Sequence, residues 1–566
     1  MSTPRIPSTE AHAQGNTLVK ETKAQKSERL KREKNPWEAL EEIRAFAREG
    51  RGSVPSEWAE FYFKWWGIYT QGDGAGVTGG SGGVGKATEY FMMRIPVPNG
   101  IATSNQLRAI GALARDHARN LVDITTRQAI QLHWLTIESV PHAIDSLADA
   151  GFSSKGACGD VARNVTGCPL AGLDGHELID ASPLARAIAR EVNGNPEFYN
   201  LPRKFKITVT GCPVWCSYPE ANDIGLTAVR RSDENGEEIG YSVRVGGGLS
   251  ADPHLAVKLD AFVREDQAVA VVRGIVKIFR EQQGLRESRD RARMKHLFQR
   301  EGWTAQRFLD ELHAKLDFQL APGVEETIHD DVFRDHVGVC PQKQAGFYSV
   351  GATVLNGRMS GEQLLAIADL AEKYAGAEIR TTVMQNFVLP HVPQANLEAV
   401  LAGLAGLGLT VEATNFWRGA VACTGTEFCK LAITETKGFA RWLVEEMEGR
   451  IPGFDQPIKL HVTGCPNSCG QHWIADVGLE GKKIKQDGKL ADAWSFALGG
   501  ALGLHAGMAR VVNYRCLSAE VPDALEGLLR DYLATRDGEQ SLRSWFANKS
   551  NDELRRILEA GVPSVV

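Results

Sequence analysis

Two cysteine doublets near the C-terminus carry the clearest chemistry in this chain. They are Cys423 and Cys429, then Cys465 and Cys469 within Thr463-Gly464-Cys465-Pro466-Asn467-Ser468-Cys469. The pattern is C-x5-C, a gap of 35 residues, then C-x3-C. Thiolates gathered from two short loops are the usual holders of an iron–sulfur cluster. Structural zinc, the competing four-thiolate site, prefers C-x2-4-C knuckles, so the x5 arm is too wide for it and the x3 arm stands at its limit. Free cysteine is also among the most buried residue types, and ordinary core cysteines are a third reading. Paired spacing in two glycine-bearing loops weighs against that one.

The scaffold must bring both loops together. At 566 residues the chain has room for about three or four domains. Its 43% hydrophobic and 24% charged residues are those of an ordinary globular protein. A net charge of −6 argues against a general nucleic-acid binder. The polar start, Met1 to Asn16, lacks a signal-peptide core, and no apolar run is long enough to span a membrane. Ten cysteines in that context fit a reducing compartment and metal ligation, so a cytoplasmic protein is expected.

The sequence also repeats itself. Asn99-Gly100 returns as Asn356-Gly357, Gln106-Leu107 as Gln363-Leu364 and Gln128 as Gln385, all at an offset of 257. Further on the offset settles at 253, where Cys212-Pro213 falls on Cys465-Pro466, Cys216 on Cys469, Asp223 on Asp476 and Gly247 on Gly500. Two copies in fixed register indicate a pseudo-symmetric pair of halves. Each copy predicts a strand, an Asn-Gly turn and a helix with Leu107, Ile110 and Leu113 at helical spacing. A second strand follows (Ala129 to Leu135, or Asn386 to Leu389), then a helix opened by Val140-Pro141 or Val392-Pro393, then a larger αβ segment. Alternating strands and helices imply a mixed α/β architecture. The charged stretch 281–330, with Arg286, Arg289, Arg291, Arg293 and Lys295, reads as a mostly helical connector.

The copies differ in their chemistry. With Cys168-Pro169-Leu170-Ala171 set on Cys429-Lys430-Leu431-Ala432, Cys423 lies opposite Ala162, so the second copy has four candidate ligands and the first has three, with Cys158 out of register. Conversely, Arg127 lies opposite Met384. One half is suited to a cluster and the other to positive charge.

At this point the chain resembles the siroheme-dependent nitrite and sulfite reductases, from about Lys34 to the C-terminus. The resemblance rests on the cysteine doublets, Thr125-Thr126-Arg127-Gln128, Arg163-Asn164-Val165 and Leu201-Pro202-Arg203-Lys204-Phe205-Lys206. It implies that Cys423, Cys429, Cys465 and Cys469 bind a [4Fe–4S] cluster, and that Cys469 also ligates the iron of siroheme. Arg127, Arg163, Lys204 and Lys206 match the family's oxyanion-binding positions. Arg203 and Asn467 are candidates for cofactor contacts, since siroheme carries many carboxylates. Six-electron reduction of nitrite or sulfite needs cofactors that no side chain replaces. The basic residues offer both fixed guanidinium forks and lysines able to pass protons.

The implied fold is α/β (α+β): an internally duplicated, pseudo-two-fold reductase with ferredoxin-like half-domains and two larger mixed α/β domains. The expected division is a polar segment 1–40, a first half-domain 41–150 and a first-copy αβ domain 151–280 with the basic pocket. A helical connector 281–335, a second half-domain 336–410 and a cluster- and siroheme-binding αβ domain 411–566 complete it. Nothing has the signature of an appended flavin or nicotinamide domain, which implies ferredoxin as a separate donor to a monomeric enzyme. Asn164 to Gly172 and Lys34-Asn35-Pro36 look like ferredoxin–nitrite reductases, whereas Lys206 is the sulfite-reductase-like choice. Nitrite is the expected substrate and sulfite the alternative. A haem-free iron–sulfur enzyme and a structural metal protein are the rivals from other classes.

Some signals lead elsewhere. Gly80 to Ala87 nearly spells a phosphate-binding loop, but Ala87 replaces the magnesium-binding hydroxyl, and glycine crowds the stretch 72–85. The basic run Lys20 to Lys34 could meet an acidic ferredoxin, although a solvated helix face is the commoner outcome. Cys158, Cys168, Cys212 and Cys216 read as a relic of duplication, and Cys340 and Cys516 show no pattern.

Overall fold

A computed structural model describes residues 21–72, 89–233, 236–327 and 334–562. The glycine-rich stretch 72–85, apart from Gly72, the near-phosphate loop at 80–87 and the segment 1–16 lie outside the described residues.

Among the described residues the strands form four five-stranded sheets, two for each copy. In the αβ segments, Ile207–Thr210, Ile224–Asp233 and Gly236–Val245 recur as Leu460–Thr463, Val477–Gln486 and Lys489–Leu498. In both, three parallel strands are followed by two antiparallel ones. Each of these sheets has its own apolar core, whereas a single core runs through both half-domains.

The reason for that shared core is an exchange of edge strands. Arg358–Ser360 of the second copy pairs with Leu121–Ile124 of the first, and Ile101–Thr103 of the first pairs with Glu378–Thr381 of the second. Both exchanged strands leave the repeated Asn-Gly turn, in which Asn99 and Asn356 each adopt φ 55°. Glycine is required next, because a Cβ on Gly100 would lie 2.3 Å from the Thr381 carbonyl oxygen and one on Gly357 2.3 Å from that of Ile124. The exchanged strand also carries Arg358 to Asp123, at 3.0 Å, a cross-copy ion pair in a buried setting.

The repeated Gln106 and Gln363 are capping residues. Thr103 with Gln106 and Ser360 with Gln363 form capping boxes on helices Ser104–His117 and Gly361–Tyr374. These two helices pack closely, and a Cβ on Gly361 would stand 2.7 Å from the Gly111 carbonyl oxygen.

Two local expectations are corrected. Val140-Pro141 opens helix Val140–Asp149, but Val392-Pro393 ends strand Phe387–Pro393, and its helix starts only at Leu397. Tyr348↔Val392 and Phe347↔Pro393 pairing extends this strand past its first-copy counterpart, so tertiary pairing overrides the proline signal. The stretch 281–330 has helices Lys295–Gln299 and Ala305–His313 with short 3-10 turns, and residues 314–327 are not helical. The basic N-terminal run forms helix Lys23–Glu33, yet Lys31 is buried and donates to the Leu201 carbonyl at 2.9 Å. No helix among the described residues is long and apolar enough to cross a membrane.

Gly361→Val should overpack the helix crossing and cost about 1–3 kcal/mol, lowering the unfolding midpoint. Gly449→Ala, where a Cβ meets nothing within 4 Å, should hold or raise it. Denaturant titration of both variants reads the difference.

Candidate active site

Adjacent parallel strands Ala420–Ala422 and Leu460–Thr463 deliver the two cysteine doublets from their C-terminal ends, where open α/β sheets present ligands. The Cys423 amide donates to the Val462 carbonyl at 3.1 Å, and the Gly464 amide points at the Cys423 sulfur at 3.2 Å. The Cys429 amide closes its turn on the Gly425 carbonyl at 3.0 Å, and Asn467 Nδ2 lies 3.6 Å from Cys465 Sγ. Burial, together with the neighbouring sulfurs, pushes the Cys429 thiol up to about 12 and Cys465 up to about 11. The set can therefore be held as thiolates at neutral pH only against added positive charge, such as iron. No three of these four sulfurs fall among the described ligand groups close enough for a single ion. That spread suits the outer corners of a cluster. Cys469 is the one exposed thiol of the four, and its carbonyl accepts the Thr126 hydroxyl at 3.2 Å.

That hydrogen bond joins the cluster loop to the first half-domain, and the predicted basic residues gather at the same seam. Arg127 donates to Asn222 Oδ1 at 2.7 Å and to the carbonyls of Asn164 at 2.6 Å and Ile207 at 3.1 Å. Arg163 donates to the carbonyls of Ala157 at 3.0 Å and Gly159 at 2.8 Å. In each guanidinium Nε is buried without a partner. Among the described residues, Lys204 and Lys206 have no hydrogen-bonding or ion-pairing partner for their ammonium groups. Burial pulls Lys204 down to about 7, opposed by the Cys469 sulfur and reinforced by Arg293, Arg163 and Arg203. Lys206 is driven well below the ordinary lysine range by burial, then by Arg127 and Lys204. Arg203 is partly committed elsewhere, 3.7 Å from Asp160.

Sequence reasoning missed the carboxylates that limit this charge. Asp223 binds Arg293 at 2.7 Å and accepts the Lys206 amide at 2.8 Å. Asp160 is buried and holds Arg289 through contacts of 2.5 and 2.8 Å, Lys31 at 3.4 Å and Arg203. Apart from Arg203, those partners come from the connector and the N-terminal helix, whose basic composition was visible but not its destination. Arg94 was missed too. It donates to Cys158 Sγ at 3.0 Å and senses the charge of Cys469.

The pseudo-symmetric pocket of the other copy is closed. Lys459 is the counterpart of Lys206 at the offset of 253, so the second copy did not lose all its basic residues. Met384, opposite Arg127, packs there in an apolar cluster with Tyr218, Val383, Val421 and Ile474. The register of the first cysteine also needs correction. Gly167 pairs with Val209 as Ala422 pairs with Val462, so Cys168 is the counterpart of Cys423, not of Cys429. Strand pairing fixes this register, which a match on Leu-Ala after cysteine could not.

Comparison with known proteins agrees with the geometry. The family model for the nitrite and sulphite reductase 4Fe-4S domain matches residues 158–320 and 413–563. The nitrite/sulfite reductase ferredoxin-like half domain matches 84–150 and 341–407. The chain belongs to the nitrite and sulfite reductase family. An assimilatory ferredoxin-dependent nitrite reductase of Haloferax mediterranei is 37% identical, over 92% of this chain and 91% of its own length. A ferredoxin sulfite reductase of Mycolicibacterium paratuberculosis is 35% identical, over 94% and 96%. The solved structure of Mycobacterium tuberculosis NirA superposes with a TM-score of 0.88 at 34% identity, covering 94% of this chain and 97% of that one.

The family's cofactors, a [4Fe–4S] cluster and siroheme, fit this site. The four-thiol set could take the cluster, and a polycarboxylate macrocycle would supply what the buried cations lack. Arg127 and Arg163 each keep an orphaned Nε, and among the described residues the Lys204 and Lys206 side chains have no counter-ion.

Asp160→Ala should leave Lys31, Arg289 and Arg203 without their shared carboxylate and destabilise the protein by about 3–5 kcal/mol. Asp266→Ala, which removes a solvated pair with Arg264, should leave the unfolding midpoint unchanged.

Proposed function

We propose that the protein is a cytoplasmic assimilatory nitrite reductase. It reduces nitrite to ammonia with six electrons from reduced ferredoxin, at a siroheme coupled to the [4Fe–4S] cluster. The observation that carries this reading is the set of uncompensated cations beside the exposed Cys469: Lys204, Lys206, Arg127 and Arg163. Cys423, Cys429, Cys465 and Cys469 would hold the cluster, with Cys469 shared with the siroheme iron. The cofactors would supply single electrons and an iron to bind the substrate.

The chain's own groups bind the anion and move protons. Arg127 and Arg163 present their guanidinium donors to the oxyanion, held in place by backbone carbonyls and Asn222. Each oxygen leaves as water and needs protons at the departing atom. Lys204 Nζ, lowered to about 7, is a donor matched to neutral pH. Asn467 and Arg203 flank the cofactors, Asn467 through Cys465 and Arg203 as a further partner for carboxylates.

Nitrite is favoured by the 37% identical relative named for that substrate. Sulfite is the second reading, because two lysines in one pocket, protonated against a bound anion, suit a dianion better than a monoanion.

Turnover of nitrite and sulfite with reduced ferredoxin tests the assignment, and a purified, siroheme-reconstituted protein without haem absorption bands would overturn it. Arg127→Ala should lower kcat/KM by about 10²–10³ while those bands persist. Lys206→Asn should lower sulfite kcat/KM about tenfold more than nitrite kcat/KM, the equivalent of one lost charge interaction of about 1.4 kcal/mol. Equal losses would refute that role for Lys206.

A further inference from the structure

The cluster position has a counterpart in the first copy, and several of its backbone hydrogen bonds recur there. The Ile433 amide donates to the Gly464 carbonyl at 2.7 Å, and the Leu178 amide to that of Gly211 at 2.8 Å. The Cys429 amide donates to Gly425 at 3.0 Å, and the Asp174 amide to Leu170 at 3.0 Å. With Cys168 set on Cys423 by strand pairing, Cys168, Asp174, Cys212 and Cys216 take the places of Cys423, Cys429, Cys465 and Cys469. One cysteine has become aspartate, and that carboxylate is spent on Arg334 at 2.5 Å.

A new donor has arrived instead. His336 lies on the segment joining the copies, at φ 61°, and its Nε2 stands 4.0 Å from Cys168 Sγ. The ligand atoms of Cys168, Cys216 and His336 all lie within 4.8 Å of one another, the only such group among the described residues. Both cysteines are buried. The histidine is pinned by its neighbours, Arg334 to Asp174 and Asp335 to Arg418 at 2.5 and 2.8 Å.

A chance gathering of core thiols would not recruit an imidazole from a third segment and anchor it on both sides. We propose that this site binds one Zn²⁺ ion through Cys168 Sγ, Cys216 Sγ and His336 Nε2. The fourth position goes to water, because Cys212 Sγ falls outside the group of mutually close ligand atoms and lies 3.9 Å from Asp174 Oδ2. On binding, the two thiols release their protons to solvent and their thiolate charges cancel that of the dication, so the buried site is neutral. Ligand edges in a tetrahedral zinc site are about 3.5–3.8 Å, which small side-chain adjustments reach from the present separations. A cluster needs a wider spread, as the second copy has. Zinc has no redox chemistry, so the ion would brace the connector without competing for electrons.

Metal analysis of the purified holoenzyme should find about one zinc per chain in addition to iron. Zinc-edge X-ray absorption on the same protein should read sulfur together with nitrogen ligands. Cys168→Ser/Cys216→Ser should lower zinc at least tenfold and His336→Gln severalfold, with the haem and cluster bands unchanged, while Cys516→Ser keeps its zinc. Wild-type protein without zinc, variants that retain it, an additional iron–sulfur signal, or a Cys168–Cys216 disulfide in peptide mass mapping would each overturn the site. The wild-type measurements decide the matter even where a variant fails to fold.

Discussion

Positive charge is buried in excess along the seam between the copies, and the rest of the architecture answers to it. Asp160 and Asp223 neutralise the cations of the pocket's walls, Arg289, Lys31 and Arg293, and in part Arg203. Among the described residues no group of opposite charge pairs with Lys204 or Lys206, while Arg127 and Arg163 receive only neutral acceptors. Buried cations of this kind are costly unless a ligand pairs them. The pocket therefore depends on anions bound to the folded state, and its cofactors contribute to stability through that linkage.

Duplication explains how one seam can hold such a pocket. The half-domains are locked by their exchanged strands and by matched glutamines. Gln128 Oε1 accepts the Gly167 amide at 2.9 Å, and Gln385 Oε1 accepts the Ala422 amide at 3.0 Å. Each glutamine thus ties a half-domain to the strand that leads into a cysteine loop. Two equivalent pockets follow from this symmetry, yet only one is polar. Tyr218 and Met384, 3.1 Å apart at their polar atoms, fill the other beside Lys459. A two-fold scaffold has become an asymmetric site by plugging one side and charging the other.

The readable part of this molecule was the part encoded by spacing. Offsets of 257 and 253 foretold strand bounds that recur residue for residue, because Asn-Gly turns and capping boxes are local signals. The cysteine doublets were legible for the same reason. Long-range partners were not. Arg289 and Arg293 stood in plain view as connector charges, but their carboxylates lie 129 and 70 residues away, and only the fold brings them together. His336 had no motif around it at all. The misplaced register of Cys168 came from trusting a short residue match where hydrogen-bond pairing is what fixes a strand.

The exposed Cys469 sulfur gives the charge excess a second use. Negative charge at that sulfur raises the proton affinity of both Lys204 and Lys206, while Arg293 and the neighbouring cations lower it. At pocket distances and reduced dielectric such a coupling is worth on the order of kilocalories. In the proposed enzyme, added negative charge on the cluster side would favour protonation of the Lys204 and Lys206 amines, and its loss would favour release of those protons. Anion binding and proton supply need not be separate devices. Both follow from placing unpaired lysines within reach of the one thiol that the cluster loop leaves open.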